Sequence, residues 1–88
     1  MELLGHKYQL IRNDDCFDLE QVKEKLTEYF ESYDYICGDY AYNKLRLKGF
    51  YEKENKQSTK INSIDTLETY IDSYCAYGAK IFLLKKEK

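Results

Sequence analysis

The chain has 88 residues, of which 43% are hydrophobic and 34% are charged. This length suits a single domain, residues 1–88, with one core and little room for a large ligand cavity. The longest apolar run, residues 81–84, is far too short to span a bilayer, and no export signal follows Met1. We therefore expect a cytoplasmic protein that does not associate with a membrane.

The net charge of −2 hides a separation of charge along the chain. Residues 13–39 carry nine acidic residues and two lysines, whereas residues 40–60 carry six basic residues and two glutamates. The acidic part has the pattern of a helix and the basic part that of strands and loops. We expect the two parts to lie on different faces of the fold.

The first elements are a short strand and a helix. Alternating apolar and polar side chains predict a strand over residues 7–12. Asp18 and Gln21 form a capping box, and apolar residues recur at helical spacing after them. These signals predict a helix over residues 19–32.

The middle of the chain predicts two strands, with residues 35–37 in the first and residues 45–51 in the second. The turn between them has two candidate positions. Gly38-Asp39 suits a tight hairpin, and a turn near residues 41–43 would lengthen both strands. Residues 52–59 are polar with no apolar anchor, which predicts a mobile loop.

The last part of the chain predicts a second helix and a closing strand. Asp65 and Glu68 form a second capping box, so we expect a helix over residues 66–76 that stops at Gly78. Residues 80–84 follow as a strand. The whole order is strand, helix, strand, strand, helix, strand, which indicates an α+β domain with a small, mostly antiparallel sheet and two helices. This order permits a split βαβ sandwich with both helices on one face of the sheet.

The sequence contains no catalytic, metal or cofactor signature. Cys16, Cys37 and Cys75 have no paired spacing and are typical of reduced, mostly buried thiols. A lone histidine, His6, has no nearby set of metal ligands, and the scattered glycines form no phosphate-binding loop. We therefore expect a protein that is not an enzyme and that needs no metal or cofactor.

Several segments occur together in a characteristic order: Tyr35-Ile-Cys-Gly-Asp-Tyr40, Leu45-Arg-Leu-Lys-Gly-Phe-Tyr51, residues 67–75 and Gly78 before the closing strand. This set resembles the YutD-like family of small cytoplasmic proteins from low-GC Gram-positive bacteria. Together they cover nearly the whole chain in the family's order. Tyr40 stands where the family usually has tryptophan, and a second cysteine that the family tends to have near Ala79 is absent. The resemblance implies the fold and the compartment, but no mechanism.

The hairpin around residues 40–53 is the predicted working surface, because it interleaves cations with aromatic rings. Its candidate partner-binding residues are Tyr40, Tyr42, Lys44, Arg46, Lys48, Phe50, Tyr51 and Lys53. Tyrosine and arginine are enriched at protein-interface hot spots, so we expect an adaptor, regulatory or inhibitory module that binds another protein. The oligomeric state is left open.

Binding of RNA or single-stranded nucleic acid through the same hairpin is the alternative. Cations there would contact phosphates while aromatic rings stack on bases. Lys48-Gly49-Phe50 also matches the first three positions of the core strand in RNA-recognition motifs, although Glu52 and Lys53 then break that match.

Overall fold

The structure is a computed structural model and describes residues 1–41, 43–75 and 79–87. The described residues form five strands and two α-helices. In chain order these are β1 (Glu2–Leu3), β2 (His6–Asn13), α1 (Leu19–Lys25), β3 (Tyr35–Ala41), β4 (Lys44–Phe50), α2 (Leu67–Tyr74) and β5 (Ile81–Lys86). Short 3-10 helices, Glu28–Phe30 and Ile64–Thr66, follow α1 and precede α2.

The strands pair into one antiparallel sheet in the order β1-β2-β5-β3-β4. Strands β2 and β3 run in the same direction, and β5 lies between them. The crossover through α1 is therefore a βαβ unit that is split by the last strand. The predicted α+β class, with its antiparallel sheet and two helices, is confirmed.

The two helices cover opposite faces of the sheet, which corrects the expectation that both lie on one face. Strand β5 explains why, since Phe82 and Leu84 point to one face, Ile81 and Leu83 point to the other, and all four are buried. An unbroken apolar run of this kind is typical of a strand covered on both sides. The α1-face cluster comprises Leu3, Tyr8, Val22, Leu26, Ile36, Leu45, Phe82 and Leu84. The α2-face cluster comprises Tyr35, Cys37, Phe50, Ile81 and Leu83, with Ile64, Leu67, Tyr70 and Ile71 packed against it.

Helix α1 begins as predicted but is shorter. The Asp18 carboxylate accepts hydrogen bonds from the backbone amides of Glu20 and Gln21, at 3.1 and 3.3 Å, so Asp18 is confirmed as the N-cap. The Gln21 side chain donates to the same carboxylate at 3.2 Å and does not make the reciprocal bond of a capping box to the Asp18 backbone amide. The helix does not reach residue 32, because Leu26 adopts an extended conformation with ψ 126° and is buried. The β-branched Thr27 follows, also extended, and separates α1 from the 3-10 helix.

Strands β3 and β4 form a long hairpin whose pairing extends from Tyr35 with Phe50 to Ala41 with Lys44. The later of the two candidate turns is therefore the one that forms. Asn43 has φ 64°, in the left-handed region that asparagine tolerates better than most residues. Tyr42 lies outside the described residues.

Helix α2 begins differently from the prediction. The 3-10 helix places Asp65 inside a helical turn, where its carboxylate accepts a hydrogen bond from the Ser63 hydroxyl. Thr66 stands at the N-cap without a side-chain capping bond, so the capping box of Asp65 and Glu68 is wrong. The predicted stop at Gly78 lies outside the described residues.

Candidate functional site

Phe50 and Tyr51, two of the predicted contact residues, are part of the interior. Phe50 is fully buried on the α2 face, and its ring packs edge-on against Tyr70 with centroids 5.6 Å apart. Tyr51 is 7% exposed, its ring lies 4.6 Å from that of Tyr33, and its hydroxyl is 3.0 Å from Ser32 Oγ. In this fold, neither ring is free to stack on a base or to enter a partner's pocket.

Arg46 is engaged within the protein. One of its amino groups donates to Asp39 Oδ2 at 2.5 Å and to the backbone carbonyl oxygen of Tyr74 at 3.1 Å. Asp39 is 2% exposed, and the hydrogen bond to it raises the pKa of Arg46 above its ordinary value. Arg46 thus joins β4 to the last residue of α2 and neutralises a buried carboxylate.

The remaining hairpin residues fall into two groups. Lys44 and Lys53 are exposed, and the Lys48 ammonium lies 5.2 Å from the centre of the Phe50 ring, close enough for a cation–π contact. Tyr40 is half-buried against the α1-face cluster. Whether these residues bind a partner stays a prediction.

An open groove of about 380 Å³ lies beside the hairpin, between β4, the end of the following loop and α2. Two of its lining side chains are large, apolar and strongly exposed, with Ile61 78% and Tyr74 70% accessible. Its lining residues, hereafter the α2 groove, are Lys48, Lys60, Ile61, Thr66, Thr69, Tyr70, Ser73 and Tyr74. Among the residues that the structure describes, the lining includes two lysines and no carboxylate.

The loop that carries Lys60 and Ile61 is anchored by hydrogen bonds, although its sequence shows no apolar anchor. Asp34 Oδ2 accepts from the Glu52 amide at 2.8 Å and from the side chain of Asn55 at 3.0 Å. At the other end, the Tyr51 backbone amide donates to the carbonyl oxygen of Asn62, and the Ile64 backbone amide donates to the carbonyl oxygen of Tyr51. These bonds place the loop along the edge of the sheet, where it forms one wall of the groove.

Sequence reasoning missed the residues on the loop and helix sides of this groove. Ile61 is the one apolar residue in the polar segment 52–62, and this isolated position could have marked it as a candidate contact residue. Tyr74 lies at helical spacing from Tyr70 and Ile71, which pack against the α2-face cluster, yet it is mostly exposed. Helical spacing alone cannot distinguish a tyrosine at the edge of a stripe from one at its centre.

The thiols are free and poorly suited to nucleophilic chemistry. Burial raises the pKa of Cys37 to about 12, with a smaller contribution from nearby Cys75. Burial also raises the pKa of Cys75 to about 11, assisted by its hydrogen bond to Asp39. At neutral pH both stay protonated, and the thiol is a weak nucleophile. Among residues 1–41, 43–75 and 79–87, no cluster of three or more histidine, cysteine or acidic side chains could hold a metal ion.

Comparison with known proteins identifies the family. The sequence matches the family described as "Putative antitoxin YutD-like" over residues 2–85. The chain belongs to the YutD-like family. It is 40% identical over 81 residues to "Putative antitoxin YutD" of Bacillus subtilis (strain 168), an alignment that spans 91% of this chain and 89% of the relative.

A solved structure supports the same assignment. The fold is similar to the solution NMR structure of protein yutD from B. subtilis, with a TM-score of 0.81 and 36% identity. That similarity covers 100% of this chain and 81% of the other. Membership in the YutD-like family suggests a small regulatory or binding protein. Within the part of this YutD-like chain that the structure describes, no helix has the length and apolarity needed to cross a membrane.

Proposed function

We propose that this YutD-like protein is a non-enzymatic regulatory module of the cytoplasm that acts by binding another protein. The relative in B. subtilis is named "Putative antitoxin YutD", which is consistent with a small protein that restrains a partner. The contact surface in this proposal is the α2 groove, with Lys48 and Lys60 in its lining. The observation that carries it is the pair of exposed apolar side chains, Ile61 and Tyr74, beside a groove lined by lysines.

The composition of the groove supports a protein partner. Tyr74 offers a large contact area with only two rotatable side-chain torsions, so ordering it on binding costs little conformational entropy. It stands at the end of α2, where Arg46 holds the backbone through a hydrogen bond. A tyrosine presented on an ordered element and surrounded by apolar and polar neighbours is typical of an interface hot spot.

Nucleic-acid binding is the second candidate, and the exposed cations Lys44 and Lys53 favour it. These lysines can contact phosphates without any ring. Stacking of bases on aromatic rings has less support, because the Phe50 and Tyr51 rings are interior. Arg46 is also paired with Asp39. Both faces of the sheet are also covered by helices, so the sheet offers no open platform for stacking.

Site-specific photo-crosslinking tests the proposal. A photoreactive phenylalanine analogue is placed at Tyr74 in one variant and at Tyr29 in a matched control, since Tyr29 is 69% exposed and lies outside the groove. Both variants are irradiated in lysate of the source organism, with and without nuclease. We expect a discrete protein adduct at position 74 that survives nuclease and is absent at position 29.

Two results would contradict the proposal. An adduct at position 74 that disappears with nuclease would favour nucleic acid. Equal labelling of the same proteins from both positions would mean that the groove is an ordinary exposed surface.

A further inference from the structure

Resting on the proposed function, we infer that the α2 groove takes an acidic segment of a partner protein that inserts one bulky apolar side chain. The groove combines two features that are unusual for this chain. Its floor and rim are apolar at Tyr70, Tyr74 and Ile61, and every charged side chain in its lining is a lysine. The chain as a whole is acidic, with a net charge of −2, whereas the groove lies where two lysines of the basic segment 40–60 come together.

The volume of the groove limits what can enter it. About 380 Å³ is near the lower end of the roughly 300–1,000 Å³ range of small-molecule pockets. The groove is also open to solvent along the sheet edge. A single large side chain on an extended or helical segment suits that space, with the flanking residues of the segment passing over the rim.

The lysines define the charge of the segment. Lys48 is held in place by its contact with the Phe50 ring, and Lys60 stands beside exposed Ile61 on the anchored loop. Carboxylates on either side of the inserted side chain can pair with both ammonium groups. Electrostatic complementarity of this type selects partners and speeds association more than it adds affinity.

A second copy of the chain is a poorer occupant. The acidic residues of the chain are concentrated in residues 13–39, which include α1, and α1 packs on the opposite face of the sheet from α2. Pairing the acidic segment of one copy with the groove of the next is a head-to-tail contact. Such contacts form rings or open chains and do not give a closed two-fold dimer.

Fluorescence anisotropy with synthetic peptides tests the inference. Three short labelled peptides are compared: glutamates flanking a central phenylalanine, the same peptide with glutamine for each glutamate, and the acidic peptide with alanine for phenylalanine. A single-stranded oligouridylate is the nucleic-acid probe. We expect the first peptide to bind most tightly, and either change to weaken binding by about fivefold or more.

Variants of the chain connect this preference to the groove. Lys48→Gln combined with Lys60→Gln should reduce affinity for the acidic peptide to that for its glutamine counterpart. Tyr74→Ala should weaken both phenylalanine peptides by about 30-fold, as expected for a hot spot. Lys7→Gln combined with Lys23→Gln removes the same charge at exposed positions outside the groove and should leave both affinities unchanged.

Distinct results would overturn the inference and the proposed function separately. Equal binding of the acidic and glutamine peptides, still lost in Tyr74→Ala, would refute the acidic partner and leave protein binding intact. Tighter binding of oligouridylate that depends on the lysines but not on Tyr74 would refute both. Self-association of the wild type into dimers or larger assemblies that the Lys48→Gln, Lys60→Gln variant abolishes, measured by analytical ultracentrifugation, would make a second copy the occupant and refute the inference.

Discussion

At the scale of single residues, Arg46 links three parts of the molecule. Its side chain is partly exposed, with a relative accessibility of 42%, whereas its partner Asp39 is 2% exposed. The arginine therefore compensates a carboxylate that water cannot reach, and its second hydrogen bond fixes the end of α2. The charge that a phosphate contact at Arg46 would use, in the nucleic-acid alternative, is therefore already shared with Asp39.

Arg46→Ala should lower the free energy of unfolding by about 2–3 kcal/mol, since it leaves a buried carboxylate unpaired. Urea denaturation followed by circular dichroism measures this loss. Lys44→Ala, at an exposed position in the same strand, is the matched control and should change stability by less than about 0.5 kcal/mol. Equal effects of the two substitutions would mean that the pair between Arg46 and Asp39 contributes nothing.

At the scale of elements, two glycines let aromatic rings lie directly on the sheet. A Cβ built on Gly38 of β3 would lie 2.1 Å from the ring of Phe82, and one on Gly49 of β4 would lie 2.3 Å from Tyr33. Both distances are far below van der Waals contact. The rings differ in freedom, because Phe82 is fully buried in the α1-face cluster while Tyr33 is only half-buried.

Gly38→Ala should therefore destabilise the protein more than Gly49→Ala. We expect a loss of about 1–3 kcal/mol for Gly38→Ala, as in overpacked cores, and a smaller loss for Gly49→Ala because Tyr33 can move outward. Thermal unfolding of the two variants compares them. The Phe82→Leu substitution in the Gly38→Ala background should recover part of the loss; purely additive effects would contradict the steric explanation.

Local signals in the sequence predicted most elements but not all of their ends. Asp18 caps α1 as its spacing indicates, whereas the similar signal at Asp65 fails because a 3-10 turn precedes α2. The stop of α1 at Leu26 was not predictable from helical spacing, since Leu26 continues the apolar stripe of Val22 and is buried, yet its backbone is extended. Tertiary packing decided these positions, as it often does against local propensity.

At the scale of the whole molecule, the placement of the helices decides which residues are available for binding. The order of elements did not specify on which face of the sheet α2 packs. The alternation of side chains along β4 assigns Phe50 to one face, but it could not show that this face is covered. The unbroken apolar run of β5 was the sequence signal for a sheet covered on both faces. Of the residues that line the candidate site, the sequence prediction included Lys48 but not Lys60, Ile61 or Tyr74, which lie together only after folding.

Buried acids in the α2-face cluster predict a loss of stability at alkaline pH. Burial raises the pKa of Cys37 from 9.0 to about 12, and the pKa values of Tyr35 and Tyr70 from 10.0 to about 12. At a pH between the ordinary pKa of each group and its raised pKa in the folded protein, the unfolded chain loses a proton that the folded chain keeps. Deprotonation therefore favours the unfolded state, and the stabilisation present below about pH 9 is lost as pH rises towards 12.

Denaturation in urea at a series of pH values measures this effect. The unfolding free energy should be nearly constant from about pH 7 to 8.5 and should fall steadily above about pH 9. Tyr70→Phe removes one of the titrating groups and should make the decline shallower between about pH 10 and 11. A free energy that stays level or rises across this range would contradict the burial of these groups.

Binding of a protein partner through the α2 groove predicts a loss of affinity that is specific to Tyr74. The most direct measurement is isothermal titration calorimetry with the partner protein that photo-crosslinking at position 74 identifies. The dissociation constant of this partner is measured for the wild-type chain and for the Tyr74→Ala and Tyr29→Ala variants. The two tyrosines are equally exposed, at 70% and 69%, so the comparison isolates position from exposure. We expect Tyr74→Ala to weaken binding by about 30-fold and Tyr29→Ala to change it by less than about twofold. An equal loss in both variants, or a larger loss in Tyr29→Ala, would contradict the account.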